Sequence, residues 1–586
     1  MTPDQAGGVG ATRLRPRPQA RPARRSGRIR GAAGVALIAA ALALRAHSCG
    51  AGAVSNAATI TPGTLAAAAP GTPRGPGAPR GAPLELWLYY PVDLSRGESL
   101  IQLERVWRRA AAAGYRHVLI ADPKFARLGD MPPTYFANAA RAKQLAGQLG
   151  LEIVPAVFQV GRSNSLLAHD PNLAEGLPVH GAHFVVHAGE ARAVTDPPVA
   201  LRARPDFSDP SVQFTGPVAR MSDHAARARF AFRLRVAPFR VYHVSVRIRT
   251  ADYGGRPLVQ AMAGEHALNY LKTLGVRPSQ DWTVHDIVFN SLDRTDVTLW
   301  FGCWGAARGT VEWTDWRIEE AGLVNVLRRP GAPCTVTGYQ EGRDYQPIRD
   351  ATLGVTPWPG QYEAWHEPPP IRTTLPEGTR LEVSWYAPAV LFNGQVTCCP
   401  SEPATLELLR DEARRVRQLW GAGGAMMMHD EIRALNWDAS CRARGRSAGE
   451  VLAAHLRDCT ALLAGSTAYV WGDMFDPYQN AHADYYLVNG DLGGSWEGLD
   501  RDVVVVNWNF GRRDDALRFF AERGHRQLIA GYYDGPLEDA RAWLESARRV
   551  KGVVGMMYTT WQERYDDLEA FARICGAPAP PAEIAR

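Results

Sequence analysis

The chain lacks the cysteine patterns of small metal-stabilised domains. Its eight cysteines contain no C-x-x-C pair, and no Cys/His cluster has the spacing of a zinc finger. We therefore expect no structural metal site and no cofactor. The apolar run at residues 32–44 is also shorter than the roughly 20 residues that a membrane-spanning helix needs, so no membrane span is expected in the mature chain.

Acidic residues are almost absent from the first part of the chain. Residues 1–83 contain 11 Arg, no Lys and a single acid, Asp4, which gives this part a net charge of +10. Because the whole chain carries +6, residues 84–586 carry −4. The basic character belongs to the leader, and a nucleic-acid partner is not expected for the body of the protein.

The leader has the order of an export signal. An Arg- and Pro-rich start precedes the apolar run, and Ala46–Cys49 follows it as a cleavage region or a poor lipid-attachment box. We predict an export signal at residues 1–49, with a disordered cytoplasmic arm as the alternative. Residues 50–83 have the composition of a disordered Gly/Ala/Pro-rich linker. The mature protein is then periplasmic, attached to the cell surface or extracellular.

The rest of the chain alternates short apolar segments with segments of helical period. At 586 residues and 46% hydrophobic content, the chain is long enough for two or more domains. Eight parallel strands joined by helices predict an α/β fold, a (β/α)8 TIM barrel at residues 84–160 and 401–576. The candidate strands are Leu84–Tyr90, His117–Ala121, Glu152–Phe158, Met426–His429, Ala468–Trp471, Val503–Trp508, Gln527–Tyr532 and Val553–Tyr558.

A long insertion interrupts this alternation at residues 161–400. Within it the apolar pattern changes to period two, as in Val244, Val246 and Ile248, which predicts an all-β sandwich of jelly-roll type at about residues 200–325. A ninth strand candidate, Leu381–Tyr386, does not fit the barrel count and is assigned to the insertion.

The segment at residues 424–432 is the most informative of the chain. An apolar strand ends there in His429, Asp430 and Glu431. Catalytic groups of α/β barrels lie at the carboxyl ends of the strands. Two carboxyls close together in a poorly solvated site raise the pKa of one of them, which provides a proton donor beside a carboxylate. The alternative is a solvated Asp-Glu turn.

Other strand ends carry aromatic and polar residues that fit a sugar. Flat apolar rings stack on sugar faces, and carboxylates and amides bind the hydroxyls. We therefore expect an oligosaccharide or polysaccharide substrate. The candidate substrate-binding residues are Asp122, His429, Trp471, Asp473, Asn507, Trp508, Tyr532, Asp534, Tyr558, Trp561 and Glu563, and the candidate catalytic residues are Asp430 and Glu431.

The order of these motifs resembles glycoside hydrolase family 20, the β-N-acetylhexosaminidases. The matching motifs are Asp430-Glu431, Trp471-Gly472-Asp473, Tyr532-Tyr533-Asp534 and Trp561-Gln562-Glu563. The resemblance implies that Glu431 is the general acid/base and that Asp430 orients a substrate 2-acetamido group, which attacks the anomeric carbon. It also implies that Tyr532 bonds the acetamido oxygen, that Trp471 and Trp561 wall the sugar and that Glu563 holds a ring hydroxyl.

The resemblance has two departures, and several alternatives stay open. Met428 and His429 replace glycines of the family, and the third strand lacks the usual following Glu. Asp473 is an alternative direct nucleophile, for which the spacing of the carboxyls would distinguish retention from inversion.

Two other functions are compatible with the sequence. One is a non-catalytic sugar-binding or scaffold protein on a decayed barrel. The other is a different barrel hydrolase that uses His429 as a base or as a metal ligand with Asp430. The predicted sandwich resembles carbohydrate-binding modules, with Trp300, Trp304, Trp313 and Trp316 as stacking residues or as core.

Overall fold

The computed structural model describes residues 84–269, 274–354, 358–392 and 394–576. The predicted export signal and linker lie outside these residues. Among the described residues, no helix is both long and apolar enough to cross a membrane.

Eight parallel strands close into a barrel, which confirms the predicted strand number and order. The observed bounds differ from the predicted ones by at most two residues. The strands are β1 (Glu85–Pro91), β2 (His117–Ala121), β3 (Glu152–Val157), β4 (Gly424–Met427), β5 (Thr467–Trp471), β6 (Val504–Asn507), β7 (Gln527–Tyr533) and β8 (Val553–Thr559).

Helices follow most of the barrel strands. They are α1 (Ser99–Ala112), α2 (Pro133–Leu149), α3 (Pro403–Trp420), α4 (Ala439–Arg442), α5 (Ala448–Leu462), α6 (Arg513–Glu522), α7 (Glu538–Ala547) and α8 (Leu568–Ile574). The segment between β5 and β6 is fully described and contains two short 3₁₀ helices, Asp473–Phe475 and Ser495–Gly498, instead of the α-helix of a regular (β/α)8 unit.

Local sequence signals fix where these helices begin and end. In α5, the Ser447 side chain accepts from the Glu450 backbone N–H while the Glu450 side chain binds the Ser447 backbone, a reciprocal capping box. Helix α3 starts at Pro403 and stops at Gly421, which has a left-handed φ of 59°.

Side chains alternate between the two sides of the barrel wall. Met426 of β4 and Trp471 of β5 belong to the hydrophobic cluster inside the barrel. Met427 and Val470, their neighbours in sequence, belong to the cluster between the strands and the helices. The same alternation decides which way the residues just beyond each strand point.

The insertion forms three five-stranded antiparallel sheets. Buried residues of the first two sheets form one hydrophobic cluster, and the third sheet has a cluster of its own. In spatial order, the strands of the first sheet are Gln280–Asn290, Val241–Ala251, Ala307–Glu320, Val218–His224 and Val212–Thr215. The strands of the second sheet are His266–Ala267, Pro257–Ala263, Asp296–Cys303, Ala228–Arg235 and Phe207–Ser208. The strands of the third sheet are Thr335–Val336, Arg380–Pro388, Gly176–His187, Glu190–Ala193 and Ile371–Arg372.

The third sheet was not predicted, but it contains the ninth strand candidate. Residues 381–386 lie within Arg380–Pro388, outside the barrel as expected. Only about half of the insertion is therefore accounted for by the period-two pattern at residues 200–325.

The insertion packs on loops that leave the carboxyl end of the barrel. Ala434, which follows β4, and Leu487, which follows β5, share the hydrophobic cluster of the first two sheets. Trp437 donates from Nε1 to the Leu487 carbonyl at 2.6 Å, and its ring contacts Phe239 with centroids 6.4 Å apart. These contacts tie the barrel mouth to the inserted sheets.

The four tryptophans named as stacking candidates in the insertion already have partners. Trp313 is fully buried, and Trp316 packs on Phe230 with ring centroids 5.4 Å apart. The guanidinium of Arg229 lies 4.5 Å from the ring centroid of Trp300 and 5.5 Å from that of Trp304. Arg229 therefore occupies space beside both rings.

Candidate active site

Three carboxyl groups meet at the carboxyl ends of β4 and β5. Asp430 and Glu431 are half-buried, whereas Asp473 is fully buried beneath them. The Glu431 backbone N–H donates to Asp473 Oδ2 at 2.9 Å, and Asn480 donates to the same oxygen at 2.8 Å. Asp473 therefore fixes the backbone of Glu431, which has a left-handed φ of 52° that a non-glycine residue rarely adopts.

The electrostatics of this cluster raise the pKa values of Asp473 and Asp430. Burial, and secondly the charge of Asp430, raise the pKa of Asp473 to about 8. Burial, and secondly Glu431, raise the pKa of Asp430 to about 6, while Arg162 acts in the opposite direction. Like charges at short range in a desolvated site disfavour joint ionisation.

Two arginines contact the carboxyl group of Glu431. Arg433 Nη2 lies 2.6 Å from Oε1, and Arg162 Nη2 lies 3.3 Å from Oε2. The Arg433 side chain is only 6% exposed, and its guanidinium lies 3.9 Å from the ring centroid of Phe392, whereas the Arg162 side chain is 27% exposed. Arg433 is thus a fixed part of the site, and Arg162 lies at its open side.

The loop after β3 approaches the Asp430–Glu431 pair more closely than a side chain would permit. A Cβ atom on Gly161 would lie 2.1 Å from the Asp430 carbonyl oxygen, so only glycine fits at this position. Gln395 bridges the two segments by donating to the Gly161 carbonyl at 2.8 Å and to the Glu431 carbonyl at 3.0 Å. The strained turn at Glu431 is held from both sides.

Aromatic side chains lie beside the carboxyls, and Trp508 Nε1 donates to Asp473 Oδ1 at 3.4 Å. Trp508 stacks on Tyr533 with centroids 5.7 Å apart and an interplanar angle of 3°. Trp561 lies 5.8 Å from Tyr533 and 5.1 Å from Tyr89. Trp471 is buried just inside the barrel, where its Nε1 donates to the sulfur of Met428 at 3.2 Å. The ring centroid of Trp471 lies 6.4 Å from that of Trp561, so Trp471, Trp508 and Trp561 lie in one aromatic cluster.

Asp534 and Glu563 occupy different parts of the rim. Asp534 accepts hydrogen bonds from the backbone N–H groups of Trp561 at 2.7 Å and Gln562 at 3.2 Å, which positions the loop after β8. Glu563 is exposed. Both residues have a left-handed φ, 56° for Asp534 and 53° for Glu563.

Three predicted substrate-binding residues face the helices instead of the mouth. Asp122 is fully buried and accepts from the Leu94 backbone N–H at 3.0 Å and the Tyr135 hydroxyl at 2.9 Å. Asn507 is buried and accepts from the Asn509 backbone N–H at 3.2 Å. Tyr558 belongs to the cluster between strands and helices. Each follows an inward-facing residue, so regular alternation turns it outward.

Tyr532 also faces outward, for a different reason. The pairing of β7 with β8 shifts register between Ala530 and Tyr532, and a bulge of this kind inverts the alternation beyond it. Tyr532 stacks on Tyr558 with centroids 4.2 Å apart and donates to Asp567 at 3.0 Å. Tyr533 takes the inward position at the site.

His429 lies on the opposite side of β4 from Asp430. It is fully buried among the helices, with its ring centroid 5.3 Å from that of His455 on α5. Burial lowers the pKa of His429 well below its ordinary value and that of His455 to about 4. The structure does not bring His429 and Asp430 to one site, so the hydrolase with a joint His429–Asp430 centre has no geometric basis.

Comparisons with known proteins find only distant similarity of fold. No family model and no curated protein matches the chain. Among solved structures, a glycoside hydrolase family 20 β-N-acetylglucosaminidase matches 86% of this chain and 69% of its own, with 10% identity and a TM-score of 0.33.

Two further solved structures also match this chain with low sequence identity and a low TM-score. The rhamnosidase of Novosphingobium sp. PP1Y matches 85% of this chain and 59% of its own, at 11% identity and a TM-score of 0.30. The family 20 exo-β-N-acetylglucosaminidase of Vibrio harveyi matches 31% of this chain at 15% identity and a TM-score of 0.23, and the chain spans 32% of that enzyme's length.

Several residues at the site were missed by the sequence reasoning. They are Tyr89, Arg162, Gln395 and Arg433. Arg433 stands two positions after Glu431, so it had a local signal, and Tyr533 was part of a predicted motif but was given no role of its own. Arg162 and Gln395 belong to the insertion, and nothing in its pattern indicated contact with the barrel mouth.

Proposed function

We propose that the protein is a glycoside hydrolase that acts on a carbohydrate at the carboxyl mouth of the barrel. The observation that carries this proposal is that two half-buried carboxyls, Asp430 and Glu431, lie near Tyr533, which packs on Trp508 and Trp561. Aromatic faces suit the apolar faces of a sugar ring, and a carboxyl pair supplies general acid and base groups.

Glu431 is the proposed general acid/base, with Asp430 as its partner. In the resting site both oxygens of Glu431 face arginines, so proton exchange with a glycosidic oxygen requires one of these contacts to open. Arg162 is the one that can move, because it is partly exposed and its contact is longer. Substrate entry at this open side would replace Arg162 beside Glu431.

The substrate we propose is a glycan that contains an N-acetylhexosamine. Asp430 lies beside Glu431 and can orient a 2-acetamido group that attacks the anomeric carbon. Asp473, the alternative nucleophile, is fully buried and its Oδ2 accepts two hydrogen bonds, so the substrate-assisted route needs less rearrangement. Tyr533 replaces Tyr532 as the tyrosine available to the acetamido oxygen.

A panel of aryl glycosides with and without a 2-acetamido group tests this proposal. Turnover restricted to the acetamido sugars, with tight binding of a thiazoline analogue of the cyclised intermediate, is expected. Equal turnover of plain hexosides, with a covalent adduct on Asp473 from a 2-fluoro sugar, would replace substrate assistance by a direct nucleophile. Absence of turnover on every glycoside would remove the enzyme proposal.

A second candidate is a sugar-binding protein on a decayed hydrolase barrel. The double arginine contact of Glu431 favours it, because a carboxylate neutralised in this way can serve to hold the site together. Sugar binding without turnover, unchanged in Glu431→Gln, would identify this case.

Export to the periplasm, cell surface or medium is proposed on the sequence of residues 1–49. Protein recovered from the native host should begin after about residue 46. Intact Met1 on protein from the cytoplasmic fraction would contradict export.

A further inference from the structure

A cluster of three metal-ligand side chains lies behind the catalytic strand, between β4 and helix α5. His429 follows β4, while His455 and Cys459 stand one turn apart on α5 and so share one face of the helix. All three side chains are buried. Their ligand atoms, one from each residue, all lie within 4.8 Å of one another.

The spacing inside the cluster fits a bound ion. Cys459 Sγ lies 3.5 Å from His455 Nε2. Zinc–sulfur and zinc–nitrogen bonds of about 2.3 and 2.0–2.1 Å at a tetrahedral angle place S and N about 3.6 Å apart. The pair therefore has the separation of two ligands on one ion before any ion is present.

The imidazole of His429 supplies the second, independent observation. Both of its ring nitrogens are buried and have no hydrogen-bond partner among the described residues. A buried polar group without a partner costs about 1–3 kcal/mol. By contrast, the buried His224 uses both nitrogens, on the Ala226 carbonyl and, at 2.9 Å, on the Tyr253 hydroxyl.

His455 is already oriented in the way that metal ligands usually are. Its ring interacts with the backbone of Pro400 while Nε2 faces Cys459. Metal-bound histidines commonly donate their second nitrogen to a carbonyl or carboxylate, which fixes the tautomer and the ring plane.

A second buried cluster, formed by Glu175, Cys399, Asp438 and Cys441, does not share these properties. Arg329 forms an ion pair with Asp438 at 2.5 Å. The Trp437 backbone N–H donates to Glu175 at 2.7 Å, and Cys441 Sγ lies 3.2 Å from Ser401 Oγ. These partners already satisfy the groups that an ion would need, so this cluster serves as the competing site in the test.

We propose that His429, His455 and Cys459 form a binding site for a zinc-class divalent ion, which joins helix α5 to β4 directly behind Asp430. Imidazole and thiolate are the donors that suit Zn²⁺. Binding releases the thiol proton of Cys459 to solvent as the Zn–S bond forms. The ion would stabilise the strand end from which the catalytic pair projects, and the site does not depend on which reaction that pair performs.

Metal content of the full chain tests this site. Protein is stripped with a chelator, reloaded separately with Zn²⁺ and Co²⁺, and freed from excess metal. We expect about one ion per chain, and a thiolate-to-cobalt charge-transfer band in the Co²⁺ form. The Zn²⁺ form should also have a higher Tm than the stripped form, because an ion that binds the folded state stabilises it.

Variants assign the ion to its ligands. Cys459→Ala and His429→Leu should lose the bound ion and the charge-transfer band. Cys303→Ala, which removes a buried thiol in the inserted sheets, is the matched control and should keep both. Cys441→Ala reports on the competing cluster and should also keep both.

Two results would overturn the proposal. One is wild-type protein that takes up no Zn²⁺ or Co²⁺ after reloading and shows no Tm difference between its stripped and reloaded forms. The other is an ion whose charge-transfer band is retained in Cys459→Ala but lost in Cys441→Ala. If Cys459→Ala does not fold, the wild-type cobalt band and the stoichiometry of His429→Leu still decide the assignment.

Discussion

The polar side chains that follow β4 differ in how well they are paired on the two sides of the strand. Toward the mouth, Glu431 is paired with Arg162 and Arg433. Toward the helices, both nitrogens of His429 are without a partner among the described residues. His429 and Asp430 are neighbours in sequence, but the pleat of the strand directs the His429 side chain toward the helices and the Asp430 side chain toward the barrel mouth.

This difference in pairing indicates that the barrel mouth and the cluster behind β4 suit different kinds of ligand. Charges at the mouth are compensated and partly exposed, so a substrate can exchange with one contact at a time. The cluster behind the strand is buried, and His455 and Cys459 already have the spacing of two ligands on one ion. Unsatisfied buried groups are costly, and they persist where a function or an unseen ligand accounts for them.

The largest expected effect comes from the acid at the mouth. Glu431→Gln keeps the shape of the side chain but cannot donate a catalytic proton, so the turnover rate should fall by about 10²–10⁴-fold. Sugar affinity measured by calorimetry should change little. Glu497→Gln, an exposed carboxyl far along the chain, is the control. A Glu431 variant that keeps more than about a tenth of the rate would contradict the proposed role.

Ionisation of Asp473 is expected to make the free energy of unfolding depend on pH. Its pKa is raised from 3.8 to about 8, so between these values the folded state binds more protons than the unfolded state. Stability should therefore fall as pH rises from about 5 to 8, by at most about 1.4 kcal/mol per pH unit. The groups that act on Asp473 from neighbouring elements include Asp430 and Glu431.

Denaturant unfolding at several pH values measures this effect. Asp473→Asn cannot ionise, so its free energy of unfolding should depend less on pH than that of the wild type in this range. Asp502→Asn is the control, since Asp502 is an exposed acid just before β6. Parallel pH curves for wild type and Asp473→Asn would show that Asp473 is ionised throughout.

His429→Leu tests the other side of the strand. In chelator, the leucine removes an imidazole without partners, so the variant should match the wild type or exceed it by about 1–3 kcal/mol. In Zn²⁺ the order should reverse, because only the wild type gains binding energy. His224→Leu removes a partnered imidazole and should destabilise under both conditions. An unchanged difference in chelator and Zn²⁺ would show that His429 binds no ion.

The sequence predicted those parts of the molecule that depend on periodicity. The eight strands and the position of Asp430 and Glu431 follow from short apolar segments with polar ends. The pattern did not predict contacts that depend on long-range packing. Arg162 comes from the loop after β3, and Gln395 reaches Glu431 from the far end of the insertion. The metal-ligand cluster was missed because His429 and Cys459 lie 30 residues apart, outside any zinc-finger spacing.

The smallest expected effect concerns the bulge in β7, which exchanges the faces of two adjacent tyrosines. Tyr533 packs on Trp508 and Trp561 at the mouth, while Tyr532 packs on Tyr558 among the helices. Tyr533→Leu should weaken sugar binding by about two- to tenfold, since one aromatic contact contributes about 0.5–1.5 kcal/mol, and should leave Tm nearly unchanged. Tyr532→Leu should lower Tm and leave sugar affinity unchanged. The two substitutions remove the same atoms from neighbouring positions, so each is the control for the other. The opposite result, with affinity lost in Tyr532→Leu and Tm lost in Tyr533→Leu, would mean that β7 keeps regular alternation and that Tyr532 faces the sugar.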